Sequence, residues 1–318
     1  MQTTRAGDFE AYKSLEVEYA YFVGHKYGVG VNTGTAALHL ALVALGIGKG
    51  DEVIIPDFTM AACAFAVAYT GATVVTVDCK DDLTIDENKI EEKITERTKA
   101  IMPVHIYGRL CNMEWINHLA ELHGLYVIED TAEAHGAEVG NATITCFSFY
   151  KNKIIHGEEG GMVTTNDERL YKEMQDLKNM AFGEDHDYFH NRIGFNYRMP
   201  ETSAKLILES FDKREKNIAK RRKIEGWLND LFPMAWKMPE RDAVWVYDFA
   251  PPAMYRNLGR KLKNNRFRQF FKPISTFPMF KQKTGPKAKY WSSKGYYLRI
   301  SPDDSYEELK EICRRILS

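Results

Sequence analysis

The run Cys146-Phe147-Ser148-Phe149-Tyr150-Lys151-Asn152-Lys153 continues as Ile154-Ile155-His156-Gly157-Glu158-Glu159-Gly160-Gly161-Met162, setting a lysine after a strand-like stretch and before a glycine pair. An amine held there can attack a carbonyl and retain it as a Schiff base. Most lysines are solvated surface charges, so Lys153 alone carries no such assignment. Asp130 stands immediately past the apolar run Leu125-Tyr126-Val127-Ile128. A carboxylate there can hold a proton on a ligand or merely cap the next segment, and the residues leave both open. Asn32-Thr33-Gly34-Thr35-Ala36-Ala37-Leu38 follows the strand-like Gly28-Val29-Gly30-Val31 and opens a helix. Its free N–H groups and the Thr35 hydroxyl could cradle a phosphate, although taken alone a plain helix cap is the simpler account. A Schiff-base lysine, an acid for a ring nitrogen and a phosphate cradle are what a pyridoxal phosphate (PLP) enzyme requires.

Positioning these groups takes a sheet. Between residues 29 and 165 the pattern predicts helices over Thr35–Leu45, Met60–Tyr69, Glu87–Ile94 and Trp115–His123. They alternate with strands at Glu52–Ile55, Thr73–Val77, Ala100–Val104 and Leu125–Ile128, the order of an α/β fold with a mostly parallel sheet covered on both faces. In such sheets ligands gather at the carboxyl ends of strands. From Glu201 the pattern changes to a long charged helix, Glu209 to about Leu231, then strand-like Ala243–Phe249, a basic helical stretch Arg260–Phe271 and a last helix Tyr306–Leu317. The expected division is a large domain over 1–200 and a smaller α+β domain over 201–318.

The 318 residues are 44% apolar and 27% charged, with 43 basic and 44 acidic side chains for a net charge of -1. That balance gives no reason to expect nucleic acid or a membrane surface as partner. With no apolar leader at Met1–Asp8 and no spanning segment, a cytoplasmic location is expected. The five scattered cysteines read as buried free thiols, not a disulfide set or a zinc site.

Four motifs in order carry a resemblance: G-T-A-A-L-H-L-A-L at Gly34, I-E-D-x-A-E-A-H-G-A at Ile128, S-F-Y-x-x-K at Ser148 and G-F-N-Y-R-M at Gly194. From about Ala11 onward the chain resembles the DegT/StrS sugar aminotransferases of the fold-type-I PLP enzymes. The run Ala100-Ile101-Met102-Pro103-Val104-His105-Ile106-Tyr107-Gly108 points to the branch that makes GDP-perosamine, an amino sugar of polysaccharides such as O-antigen. The resemblance implies that Lys153 binds the cofactor and then moves the proton, with Lys151 the wrong lysine by spacing. It places Asp130 at the pyridinium nitrogen, Glu133 near the phenolic oxygen, and Ser148, Gly34 and Thr35 at the phosphate. Asn196 would reach that phosphate from a second subunit with Arg198 beside the same interface, so a homodimer is implied. The substrate would be a nucleotide-linked 4-keto-6-deoxyhexose, best GDP-4-keto-6-deoxymannose, and the amino donor L-glutamate. A related dehydratase has histidine in place of the lysine, and His156 does not fill that position.

Some residues depart from the family pattern. Met60 stands where an aromatic residue usually covers the ring, and a thioether can pack there instead. Glu158 replaces a small residue expected close to the cofactor. About two dozen residues that usually precede Gly7 are missing, and the small domain is shortened between Pro278 and Tyr297, regions that shape the sugar-nucleotide pocket. A 3-aminotransferase and a non-catalytic protein of the same fold are the competing readings. Gly46-Ile47-Gly48-Lys49-Gly50 reads as a turn, because it follows a helix and precedes a strand. His186 and His190 read as part of an active-site loop and not as metal ligands, with no metal site expected. The basic run Arg256–Arg268 could meet a nucleotide diphosphate, with a solvated helix face the simpler account.

Overall fold

Val53, Ile54 and Ile55 are all fully buried, yet Val53 and Ile55 pack with one hydrophobic cluster and Ile54 with another. Successive residues of a strand face opposite sides, so a strand buried along its length needs cover on both. The computed structural model, which describes residues 10–139, 142–183, 188–252 and 266–317, supplies that cover. Helices α2 (Gly34–Ala44), α3 (Ala62–Tyr69) and α5 (Glu168–Lys178) contribute to the first cluster and α4 (Met113–His123) to the second. Near the end of the sheet, α1 (Glu10–Phe22) and α6 (Glu201–Asp212) cover Phe147 and Met162.

The large sheet comprises β1 (Tyr27–Val31), β2 (Glu52–Pro56), β3 (Thr73–Val77), β4 (Thr98–Ile101), β5 (Tyr126–Asp130), β6 (Ile144–Ser148) and β7 (Gly161–Thr165), in the order β1-β7-β6-β5-β4-β2-β3. All its neighbours pair in parallel except β7, which runs against both β1 and β6. The turn that returns the chain from β6 to β7 contains Lys153. At its end Gly161 lies so close to β1 that a Cβ would meet the Thr33 carbonyl oxygen at 2.4 Å, which only glycine avoids.

After α7 (Arg214–Leu231), three antiparallel strands, β8 (Val246–Phe249), β9 (Phe267–Gln269) and β10 (Tyr296–Arg299), form a second sheet ordered β8-β10-β9. They share a core with α7 and the last helix, α9 (Tyr306–Leu317), while α8 (Pro286–Lys294) precedes β10.

Several sequence expectations are corrected. Glu87–Ile94 forms two single 3₁₀ turns, Glu87–Lys89 and Glu91–Lys93; Glu87 and Ile90 are buried three residues apart, a spacing that a 3₁₀ turn puts on one side. The long charged helix is interrupted at Lys213, where Arg214 donates to the Phe211 carbonyl at 3.0 Å and stacks over the Phe211 ring. Phe267–Gln269 is strand, not helix, because Phe267 is buried opposite Leu298; residues 253–265 of that basic stretch lie outside the described residues. Among the described residues, no helix is long and apolar enough to cross a membrane, and all five cysteines are buried and unpaired.

Candidate active site

Three carboxyl ends of strands and the turn after β6 meet at one cavity of about 440 Å³. Gly34 and Thr35 reach it from the start of α2, Asp130 from the end of β5, Ser148 from the end of β6 and Lys153 from the turn beyond, with Glu133 and Met60 completing the expected set. The Gly34 segment both caps a helix and lines the cavity. The Thr33 hydroxyl caps α2 by accepting the Ala36 N–H at 3.0 Å, which leaves Gly34 and Thr35 to line the cavity. A Cβ on Gly34 would come within 2.7 Å of the Ser148 Cβ, so the glycine keeps this cradle open.

Lys153 is 9% exposed, and among the described residues its ammonium has no hydrogen bond or ion pair; it sits 4.0 Å from the ring centre of Trp245. Burial lowers its pKa, opposed by the negative charges of Glu133 and Asp130. Glu133 shifts the other way: burial raises its carboxyl to about 7, against the pull of Lys153. The Tyr107 N–H holds Glu133 at 2.7 Å from a left-handed backbone position (φ 51°), costly for tyrosine and stabilised here by complete burial of the ring. Asp130 accepts the Ala132 N–H at 3.0 Å on one oxygen and the Cys63 thiol at 3.2 Å on the other.

Met60 is half exposed at the cavity rim. Glu158 is corrected: it lies in a neighbouring groove with Lys213, whereas Glu159 lines the cofactor cavity. The bend at Gly157 to Gly160 sets which glutamate turns inward, and side-chain size alone does not reveal that direction. Asn196 and Arg198 do not line the cavity of this chain. Both are exposed, and Arg198 donates to Asn179 at 2.9 Å. His190 bonds the Met180 carbonyl at 2.9 Å, and His186 lies outside the described residues.

Residues that the sequence reading did not assign complete the walls. Trp245, Phe271 and Tyr297 come from the second half of the chain, and the Trp245 indole N–H donates to the Asn152 carbonyl at 2.8 Å, fixing its ring beside Lys153. They sit too far from Lys153 in sequence for spacing to reveal them. His135, within the second motif, is buried beneath Ser148. Its Nε2 donates to the Ser148 carbonyl at 2.8 Å and its Nδ1 accepts from the Tyr19 hydroxyl at 2.7 Å, so the ring is neutral.

Burial holds His135 down to about 3, below its ordinary 6.5. As pH falls from 6.5, the unfolded chain gains a proton that the folded one refuses until about 3, so stability declines across that window, by up to about 5 kcal/mol. In urea titrations at a series of pH values, His135→Gln should flatten this dependence below pH 6.5. A slope identical to the parent's would show that His135 titrates normally.

The residues present fit pyridoxal phosphate: a buried unpaired amine, a carboxylate with both oxygens held, and a cradle that a side chain at Gly34 would fill. Comparisons with known proteins agree. The GDP-perosamine synthase of Caulobacter vibrioides is 45% identical over 221 residues, 67% of this chain and 59% of that protein. That of Escherichia coli O157:H7 is 37% identical over 309 residues, 92% of this chain and 85% of the other. Other relatives are named as 3-amino-sugar enzymes. Among solved structures, S. venezuelae DesV in complex with a ketimine intermediate superposes with a TM-score of 0.87 at 29% identity, covering 96% of this chain and 88% of DesV. With residues 2–317 matched, the chain belongs to the DegT/DnrJ/EryC1/StrS aminotransferase family, whose enzymes work with pyridoxal phosphate.

Proposed function

We propose that this enzyme transfers an amino group from L-glutamate to the C4 ketone of a nucleotide-linked 4-keto-6-deoxyhexose, with GDP-4-keto-6-deoxymannose the foremost substrate and GDP-perosamine the product. The observation that carries the reading is the buried amine of Lys153, within reach of Glu133 and Asp130 in a cavity bounded by a phosphate cradle. Similarity to two GDP-perosamine synthases supports the choice of sugar and of ring position.

Bound in this cavity, pyridoxal phosphate supplies an electron sink that eases removal of a proton from the carbon bearing nitrogen. The chain does the rest. Lys153, its ammonium disfavoured by burial, takes that proton at Nζ and returns it. Asp130, its carboxylate kept in place by Ala132 and Cys63, would hold the ring-nitrogen proton. Gly34, Thr35 and Ser148 would hold the phosphate, and Glu133 would serve the phenolic oxygen. Trp245, Phe271 and Tyr297 restrict water. We assign Asn196 and Arg198 to a second copy's site in a homodimer, supported by their exposure and their absence from this chain's own cavity lining.

The test is an assay with glutamate and a panel of GDP-, dTDP- and UDP-linked keto sugars, with products read by mass. Amination of GDP-4-keto-6-deoxymannose is expected. Turnover confined to 3-keto sugars would reject the 4-amino assignment in favour of the 3-aminotransferase reading.

A further inference from the structure

A second cavity, about 600 Å³, adjoins the first, and the two share Asn152 and Trp245 in their linings. Its walls carry six cations, Lys151, Lys213, Lys216, Lys220, Arg221 and Arg299, in a chain whose net charge is only -1. The single lining carboxylate, Asp303, is taken up by Lys220 at 3.1 Å. Among the described residues Lys213, Lys216 and Arg299 make no ion pair; Asp304 acts on Arg221 through its charge, and Glu158 and Glu209 lie in an adjoining groove that shares Lys151 and Lys213. So many unpaired like charges around one concavity repel each other, which an anion relieves.

Two buried atoms point to a ligand independently of the surface lysines. Arg221 is 4% exposed; its Nη1 donates to the Trp245 carbonyl at 2.8 Å, but its Nε has no partner. The Asn152 side-chain oxygen, at the boundary between the cavities, is also buried without a partner. A buried donor or acceptor without a partner is unfavourable, and a bound group that completes its hydrogen bond removes that cost. Arg221 lines the basic cavity, where a guanidinium suits a phosphate oxygen, and Asn152 lines both cavities, where a side-chain amide suits a hydroxyl.

We propose that the basic cavity is a diphosphate-binding site. Its position beside the Lys153 cavity makes the substrate's own diphosphate the natural occupant, with a sugar hydroxyl on Asn152 between the two. That source rests on the nucleotide-sugar reading above, whereas the anion site itself does not.

The experiment is calorimetric titration of PLP-loaded protein with inorganic pyrophosphate, comparing the parent with Lys213→Glu/Lys216→Glu. Both positions are exposed on the cavity rim, so the fold should survive, as an unchanged melting curve and cofactor absorbance would verify. Binding that weakens with salt, and about tenfold or more in the double variant, is expected. Pyrophosphate that competes with the nucleotide-linked sugar identifies the occupant as the substrate's diphosphate. Binding without competition keeps the site but gives it to a separate phosphate-bearing ligand, and it can be read even if no sugar is turned over. No pyrophosphate binding, or equal binding by parent and double variant, overturns the proposal.

Discussion

Lys153→Ala is expected to lower transamination by about 10⁴-fold or more, since in the proposed mechanism it removes both the point of cofactor attachment and the base that moves the proton. The cofactor's visible absorbance band should vanish from the purified variant. Protein stability should not follow activity down. The Lys153 ammonium has no hydrogen bond or ion pair to protein groups among the described residues, and its burial is itself unfavourable. Unfolding of cofactor-free parent and variant by denaturant should therefore agree within about 1 kcal/mol. An alanine variant that keeps turning over would remove Lys153 from the mechanism. One that loses activity through wholesale destabilisation would make the residue structural.

Asp130→Asn carries the second largest effect, a rate loss of about 10²–10³-fold with the cofactor still attached. The amide oxygen can still accept the Ala132 N–H, so local geometry is largely preserved. What goes is the negative charge that, in the proposed mechanism, would keep a ring-nitrogen proton in place. Cys63→Ser separates the two roles, because it leaves the carboxylate and replaces only its thiol partner at 3.2 Å. Single-turnover rates with glutamate should drop steeply for Asp130→Asn and mildly for Cys63→Ser. Equal losses would mean that packing around Asp130, and not its charge, is what matters.

The part of this site that was legible in the sequence is the part built on strand ends. Gly34, Asp130, Ser148 and Lys153 each follow or end a short apolar run that reads as a buried strand, and a mostly parallel sheet brings such carboxyl ends together. Trp245, Phe271 and Tyr297 arrive from the smaller sheet and its approaches, where no local pattern encodes proximity to Lys153. Glu158 and Glu159 exchange places relative to expectation because a bend, not composition, sets which one faces inward. The helix expected at Glu87–Ile94 is two 3₁₀ turns with Glu87 and Ile90 buried three residues apart, and the long charged helix broke where Arg214 found Phe211. Residues such as Asn196 and Arg198, exposed on this chain, carry no signal of their own for a partner they would serve.

The central claim is that Lys153, and not its neighbour Lys151, carries the cofactor. Lys151 is exposed beside the Tyr150 ring, whereas Lys153 is buried between Trp245 and the carboxylates of Glu133 and Asp130. Borohydride reduction of the cofactor-loaded protein followed by peptide mass mapping tests it directly. A pyridoxyl group on Lys153 alone is the predicted result; modification of Lys151, or of no lysine in this peptide, would contradict the account.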